Sequence, residues 1–236
     1  MLEGSGGFGV SSSPRFFELA DIPDALRAAG AIKRLAKGER ITSPDRAWQG
    51  CYYVSRGLIG TYGIDVDGNE IMTFLLGEGT LFLESDMLEG AVLAKSDTVP
   101  VFIAEKDTEL LFISKSKFRH LMKTDVETAN FVACSIAQKM LAFRFLYNEV
   151  RSHDVPWRIA NLLTAFADNH GVQVNGKVKI EYRISQQLLA TMLGANRITI
   201  AKGMKRLKDM GLVEKTDEFY YIVSMEHLRS YLDAFK

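Results

Sequence analysis

The sequence predicts an α+β protein with an N-terminal β-sandwich or small barrel, one long helix and a C-terminal winged helix-turn-helix. Short runs rich in β-branched and aromatic residues, separated by glycines, fill residues 32–113. After residue 123 the apolar residues recur at alternating spacings of three and four, which indicates a helix. Further on, two short amphipathic segments meet at Gly194, a pattern typical of a helix-turn-helix.

The first region, residues 15–123, follows a Gly- and Ser-rich segment, 1–14, that we expect to be a flexible tail. A hairpin is predicted at residues 65–69, because Gly and Asn tolerate the positive φ of tight turns. Many short strands at this spacing favour a sandwich or barrel. The predicted strands are 51–54, 58–59, 71–76, 99–103 and 110–113.

Composition excludes several classes of protein. Cys51 and Cys134 are the only cysteines in the 236 residues, which argues against a disulfide framework, a zinc site and a four-cysteine iron–sulfur cluster. The longest uncharged stretch of the apolar middle section, 128–138, is too short for a membrane span, so we expect a cytoplasmic protein. The net charge is zero, but residues 151–236 hold 13 Lys and Arg against 9 Asp and Glu. That excess of positive charge favours a polyanionic partner.

The long helix, residues 124–152, carries an apolar seam with the spacing of a two-stranded coiled coil, which predicts a homodimer. A single amphipathic helix packed on its own core is the alternative. A second apolar set, Phe131, Leu141 and Phe145, is predicted to face the barrel. The seam consists of Val126, Ala129, Ala133, Ile136, Met140, Phe143, Tyr147 and Val150.

The C-terminal domain, residues 153–236, begins at a break in the helix. Asp154 is predicted to cap a helix over 157–167, and 171–176 is predicted to be a loop or turn before a short strand at 178–180. Ser185 and Asn196 suit the N-caps of two later helices, and Gly194 permits the left-handed turn between them. A hairpin over 211–223 and a closing helix complete the winged domain.

The helix after Asn196 has two contrasting sides. Ile200, Met204 and Leu207 share one stripe that must be buried, at about 100° per residue. The opposite arc is basic and holds small residues, as a helix in the DNA major groove requires. We expect the wing to contact phosphates through Lys215 and Thr216, opposed by the acidic Asp217 and Glu218. The arc displays Arg197, Ile198, Ala201, Lys202, Lys205 and Lys208.

This order of parts resembles the cyclic-AMP receptor / FNR (Crp/Fnr) family of bacterial transcription regulators from about Phe16 onward. The most specific match is the segment 184–199. The others are Lys37-Gly38-Glu39, 52–57, 67–70, 79–84, and Asp154 with Arg158 and Ala160. The resemblance implies a cyclic-nucleotide-binding-like jelly roll, a homodimer on palindromic double-stranded DNA, and RNA polymerase as a partner.

By this resemblance, Arg197, Ile198, Ala201 and Lys202 occupy base-reading positions, whereas Ser185, Gln187, Asn196, Thr199 and Lys205 contact phosphates. Ile198 departs from the family, because many members carry a Glu there that accepts a hydrogen bond from cytosine. An exposed Ile suits a thymine methyl group. We therefore predict a different operator, more tolerant of A·T pairs.

The sensing region departs from the family as well. Cyclic-nucleotide members have a Gly-Glu-Leu segment and an Arg-Ser pair that clamps the cyclic phosphate, but this chain has Leu83-Glu84-Ser85 and Thr98-Val99. Without that guanidinium we expect an effector other than cyclic AMP, and no cofactor, haem or metal. The predicted effector pocket contains Glu84, Thr98, Val99, Phe143, Arg144 and Tyr147, of which Arg144 suits an acidic ligand.

The sequence leaves two other functions as alternatives. A ligand-sensing barrel that acts through protein–protein contacts is the main alternative, and the basic helix and wing argue against it. An enzyme is disfavoured because the chain shows no Ser/His/Asp order, no HExxH motif and no phosphate-binding glycine loop.

Overall fold

The computed structural model describes residues 16–17, 21–43, 48–64, 70–88 and 100–234. The tail at 1–14, the predicted hairpin at 65–69, and Thr98 and Val99 lie outside these residues. The chain divides into two compact units, Arg15–Phe145 and Leu146–Lys236. The division falls within the long helix, a few residues before the break predicted at 152–154.

The N-terminal unit is built on two sheets. One has the strand order β1-β6-β5-β8-β3 and the other β2-β9-β4-β7, and among the strands of the described residues only the β1–β6 pair is parallel. The strands are β1 (Phe16–Phe17), β2 (Ala31–Leu35), β3 (Arg40–Ile41), β4 (Gly50–Arg56), β5 (Ile59–Ile64), β6 (Glu70–Leu76), β7 (Leu81–Phe82), β8 (Val101–Ala104) and β9 (Thr108–Ser114). The helices are α1 (Asp24–Ala29), α2 (Glu84–Met87) and α3 (Lys115–Thr124).

Aromatic side chains on neighbouring strands of the second sheet pack against one another. The Tyr52 ring lies 5.3 Å from the Phe82 ring and 5.1 Å from the Phe112 ring, measured between centroids. Aromatic pairs at this separation add to the stability that burial provides. The strands predicted at 51–54, 71–76 and 110–113 are confirmed, whereas the one predicted at 58–59 begins at Ile59 and continues to Ile64. The short helices α1 to α3 were not predicted.

The long helix α4 (Val126–Ser152) has one buried stripe with a spacing of seven residues. Thr128, Ser135, Ala142 and Glu149 on this stripe are fully buried. The Phe131 ring packs against Tyr53 of β4 at 6.4 Å, as predicted. Leu141 and Phe145 are exposed, so their predicted contact with the barrel is wrong. Small and polar residues occupy the buried stripe instead, and hydrophobic periodicity does not reveal them.

The C-terminal unit is a helical domain with one antiparallel sheet of order β10-β11-β13-β12. Residues 157–167 at its centre are all buried. Its helices are α5 (Val155–His170), α6 (Gln186–Leu193), α7 (Arg197–Asp209) and α8 (Met225–Asp233). Its strands are β10 (Gly171–Val174), β11 (Lys177–Ile180), β12 (Val213–Thr216) and β13 (Phe219–Ile222).

The loop predicted at residues 171–176 is wrong for its first four residues. These form β10 and pair with β11 in register from Gly171↔Ile180 to Val174↔Lys177. Only Asn175 and Gly176 form the turn, and both have positive φ. The partner strand lies downstream in the chain, so the local sequence did not show that this segment pairs.

Among the helices of the described residues, none is both long enough and apolar enough to span a bilayer.

Candidate nucleic-acid interface

The helix-turn-helix consists of α6, a glycine turn and α7, and each boundary has a local cause. The Ser185 hydroxyl oxygen accepts a hydrogen bond from the Leu188 amide at 2.9 Å, so Ser185 caps α6. Gly194 ends α6 at φ 57° and ψ 42°, a left-handed conformation that favours glycine. The predicted cap and turn are both confirmed.

Asn196 is the N-cap of α7, and the oxygen and the nitrogen of its side-chain amide have different roles. Its Oδ1 accepts hydrogen bonds from the Thr199 amide at 2.8 Å and from the Thr199 hydroxyl at 2.9 Å. The amide group of Asn196 therefore keeps its two N–H donors for another acceptor. The Thr199 hydroxyl hydrogen is already engaged. Asn196 is the better phosphate donor of these two neighbours.

The buried side of α7 packs on α5. Ile200, Met204 and Leu207 are fully buried, as the sequence predicted. Between them lies Gly203, where a Cβ atom would stand 2.7 Å from Cδ1 of Ile159. This glycine permits the close approach of the two helices. Sequence reasoning did not single it out, although a glycine inside a helix is unfavourable by about 1 kcal/mol and suggests such a contact.

The opposite side of α7 is exposed. Arg197, Lys202, Lys205 and Lys208 are all exposed, and Ile198 is 70% exposed. Ala201 lies half-buried between them. The structure therefore places the predicted base-reading residues on one basic surface, together with the phosphate-contact candidate Lys205. Of the other phosphate candidates, Ser185, Gln187 and Asn196 are exposed and Thr199 is half-buried.

Arg206, another basic residue of α7, is exposed but forms an ion pair with a residue of the same domain. Its Nη1 lies 3.3 Å from Oδ2 of Asp154. The other oxygen of Asp154, Oδ1, accepts from the Trp157 amide at 3.0 Å and so caps α5, as predicted. One carboxylate thus starts α5 and fixes the orientation of Arg206.

Arg158 connects α5 to the helix-turn-helix from inside the domain. Its Nη2 donates to the carbonyl oxygen of Leu193, the last residue of α6. Burial lowers the pKa of Arg158 from its usual value, and the nearby carboxylate of Glu149 opposes that change. The guanidinium therefore positions the end of α6 next to the Gly194 turn.

The wing is the β12–β13 hairpin. Lys215 and Thr216 are exposed, as phosphate contact requires. Asp217 and Glu218 were expected to oppose DNA, but Glu218 forms an ion pair, and so does Glu214, another acidic residue of the hairpin. Glu214 pairs with Lys177 at 2.5 Å, and Glu218 pairs with Arg183 at 2.8 Å. These pairs reduce the negative charge of the wing.

In the N-terminal unit, the candidate effector residue Glu84 is buried in a polar network with α4. Its carboxylate accepts from the Ser135 hydroxyl at 2.7 Å and forms an ion pair with Lys139. Lys139 Nζ also donates to the carbonyl of Leu81 at 2.5 Å. Sequence reasoning missed Ser135 and Lys139, because nothing local indicates that they meet a carboxylate about fifty residues upstream.

The Glu84 carboxylate also acts on the neighbouring thiol of Cys51. Burial raises the pKa of that thiol well above its usual range, and the charge of Glu84 raises it further. Among the described residues, no group of three or more His, Cys, Asp or Glu side chains could hold a metal ion.

The other effector candidates lie in separate surroundings. The Phe143 ring meets the Phe74 ring edge-on at 4.6 Å. Arg144 and Tyr147 are exposed, and the Tyr147 hydroxyl accepts from Arg151 Nη1 at 2.6 Å. Thr98 and Val99 fall outside the described residues. Glu84 therefore contacts α4 and Phe143 contacts β6, while Arg144 and Tyr147 are exposed. The described residues of the predicted effector pocket are not brought together in one place.

The predicted seam of α4 is exposed over most of its length. Ala129 and Ile136 are half-buried. The remaining members, of which Val126 is 83% exposed, are all exposed, although the Phe143 ring also contacts Phe74: Val126, Ala133, Met140, Phe143, Tyr147 and Val150. The single chain therefore exposes a row of apolar side chains along α4, of the kind that marks an interaction surface.

Comparison with known proteins gives two family matches. Residues 158–231 match a Crp-like helix-turn-helix domain, and residues 32–125 match a cyclic nucleotide-binding domain. Among curated proteins, the chain is 24% identical over 163 residues to the cAMP-activated global transcriptional regulator CRP of Haemophilus influenzae. That alignment covers 69% of this chain and 70% of the relative.

Two solved structures share the fold. The c-di-GMP-responsive global regulator CLP of Xanthomonas campestris matches with a TM-score of 0.72 and 18% identity, over 85% of this chain and 97% of that one. A transcriptional regulator of the CRP/FNR family from Thermus thermophilus matches with a TM-score of 0.68 and 18% identity, over 87% of this chain and 100% of that one.

Proposed function

Because the chain belongs to the Crp/Fnr family of DNA-binding transcription regulators, we propose that it binds a palindromic operator as a homodimer under the control of a small effector other than cyclic AMP. The exposed basic surface of α7 is the observation that carries the proposal. Its apolar stripe is buried, so the side that bears Arg197, Ile198 and Lys202 is the side left for a partner. Duplex DNA fits this combination of shape and charge.

In this proposal α7 lies in the major groove and reads bases with four residues. Arg197 donates to guanine O6 and N7, and Ile198 contacts a thymine methyl group. Ala201 allows close approach, and Lys202 provides a further donor to base edges. The phosphate contacts come from Ser185, Gln187, Asn196 and Lys205, with Lys215 and Thr216 of the wing. Thr199, also predicted from the sequence, has its amide and hydroxyl hydrogens engaged by Asn196.

The homodimer forms through the exposed seam of α4. Burying Val126, Met140 and Tyr147 against a second copy would remove apolar surface that the single chain exposes. Two recognition helices related by a twofold axis then read half-sites about 34 Å apart. RNA polymerase is the proposed partner at the promoter. Because the protein would act where transcription takes place, we propose that it is cytoplasmic.

The effector is proposed to bind in the N-terminal unit, near Glu84. Relatives of this chain respond to different molecules, since one is named for activation by cAMP and another for its response to c-di-GMP. The identity of the effector therefore does not follow from the fold. Thr98 and Val99 stand where cyclic-AMP regulators hold an Arg-Ser pair, which argues against cyclic AMP.

The experiment that tests the DNA-reading surface compares two arginines of the same helix. Arg197→Ala should reduce discrimination between operator and mutated operator by about 1–3 kcal/mol, because a bidentate base contact is lost. Arg206→Ala is the matched control, since it removes the same charge from α7 but Arg206 is turned toward Asp154. Sites selected by the wild type from random palindromic duplexes, followed by fluorescence anisotropy, supply the measurement.

Three results decide the matter. Loss of discrimination in Arg197→Ala but not in Arg206→Ala supports the assignment, and the selected sites should carry an A·T pair where Ile198 lies. Equal discrimination in both variants and the wild type would refute base reading by Arg197. A wild-type protein whose affinity for DNA does not fall with salt would refute DNA binding itself.

A further inference from the structure

Arg183 lies between two of the proposed phosphate-contacting elements, β12–β13 and α6. Its neighbours are anchored: the Tyr182 ring stacks on Phe166 at 5.2 Å, and Ile184 is buried. The Arg183 side chain itself is 73% exposed. The residue therefore projects from a fixed stretch of backbone, two residues before the cap of α6 at Ser185.

Glu218 reaches Arg183 from the wing. Thr216 pairs with Phe219, so Asp217 and Glu218 form the two-residue turn of the hairpin. Glu218 Oε2 lies 2.8 Å from Arg183 Nη2, and the Glu218 side chain is 61% exposed. The ion pair thus joins the tip of the wing to the segment that leads into α6.

We propose that Arg183 binds a phosphate of the DNA backbone and that Glu218 occupies its guanidinium when DNA is absent. A guanidinium binds carboxylates and phosphates through the same planar arrangement of donors, so one anion can replace the other. This proposal rests on the proposed function, because Ser185 and the exposed Lys215 and Thr216 of the wing are its proposed phosphate contacts. Arg183 would add a contact next to them.

The exchange is energetically easy. A solvent-exposed ion pair contributes little to stability, so a phosphate held close by the rest of the interface can displace the Glu218 carboxylate. Glu218 then acts as an internal competitor of DNA. It weakens binding to every sequence to the same degree, because phosphate contacts carry no sequence information.

The test measures the affinity of the full-length protein for the duplex selected by the wild type, over a range of salt concentrations. Glu218→Gln should tighten binding about two- to fivefold, because an exposed pair of this kind no longer has to be broken. Arg183→Gln should weaken binding and reduce the slope of log affinity against log salt by about one, the loss of one phosphate contact.

Asp217→Asn is the matched control for Glu218→Gln. It removes the same charge from the same turn, and Asp217 forms no ion pair among the described residues. Its φ of 54° is one that Asn adopts readily, so the turn is preserved. If Glu218 competes for Arg183, the gain from Glu218→Gln exceeds that from Asp217→Asn and largely disappears in the Arg183→Gln background.

Equal gains in Glu218→Gln and Asp217→Asn would show general repulsion and overturn the competition. An unchanged salt slope in Arg183→Gln would overturn the phosphate contact. A gain in affinity cannot arise from unfolding, so Glu218→Gln is informative even if Arg183→Gln is unstable. A wild type with no salt-dependent DNA binding contradicts the proposed function instead, which keeps the two failures distinct.

Discussion

Asn196 shows how one side chain can serve the fold and the proposed function together. Its oxygen begins α7 by accepting two hydrogen bonds from Thr199, and this leaves its N–H groups directed elsewhere. The capping role was predicted from residue type and position alone, because Asn at an N-cap depends only on the next three residues. The orientation of the free amide group required the structure.

Two substitutions at Asn196 separate the cap from the phosphate contact. Asn196→Ala should lower the free energy of unfolding by about 1 kcal/mol, since the cap is lost. Asn196→Asp keeps an acceptor oxygen and should preserve stability, but it lacks the N–H donors and should weaken DNA binding at least as much as Asn196→Ala. Urea unfolding and fluorescence anisotropy measure the two effects. Full DNA affinity in Asn196→Asp would exclude Asn196 as a phosphate donor.

At the scale of elements, α4 combines two different surfaces. The side formed by Thr128, Ser135 and Ala142 is buried within the chain, and Ser135 contributes to the Glu84 network. The seam residues lie on other parts of the helix, and all but Ala129 and Ile136 remain exposed. The sequence identified the seam because apolar spacing is visible locally. The buried stripe escaped notice because its residues are small or polar.

The predicted homodimer can be tested by a substitution in the seam of α4. Ala133→Glu places two like charges in the seam of the proposed dimer and should shift the protein to monomers at micromolar concentration. Asn148→Glu is the control, because Asn148 is also exposed on α4 but lies outside the seam. Light scattering after size-exclusion chromatography gives the masses. A dimer that persists in Ala133→Glu would place the subunit interface elsewhere.

At the scale of the whole molecule, the charge is divided between the two halves of the chain. Residues 1–150 hold 16 Lys and Arg against 20 Asp and Glu, whereas residues 151–236 hold 13 against 9. The basic half contains α7 and the wing, and the acidic half contains the unit that matches a cyclic nucleotide-binding domain. This division agrees with the proposed function, in which DNA binds the C-terminal unit and the effector binds the N-terminal unit.

Cyclic AMP provides the test of the effector proposal. A ligand that binds only the folded protein raises its stability by about 2.7 kcal/mol at 100 times its Kd. We expect millimolar cyclic AMP to leave the Tm unchanged, because in the proposed correspondence with cyclic-AMP regulators Thr98 and Val99 replace the Arg-Ser pair that clamps the phosphate. A saturable rise in Tm would contradict this prediction. Native mass spectrometry of protein purified from its own host can identify the effector that co-purifies.

Features whose causes lie within a few residues could be predicted from local sequence alone. The caps at Asp154, Ser185 and Asn196, the left-handed turn at Gly194 and the buried stripe of α7 each depend on neighbouring positions. The same local patterns distinguish the strands of the first half from the long helix. For this reason the fold class and the exposed basic surface were predictable.

The ion pairs between remote residues are visible in the tertiary structure and not in the sequence. Arg206 meets Asp154, Lys139 meets Glu84, and Arg183 meets Glu218 across long separations in the chain. A sequence shows that each charge exists, but the partner depends on how remote elements pack. The pairing of β10 with β11 and the contact of Gly203 with α5 have the same origin. These long-range contacts join Arg206 of α7 to the N-cap of α5 and Arg183 to the wing.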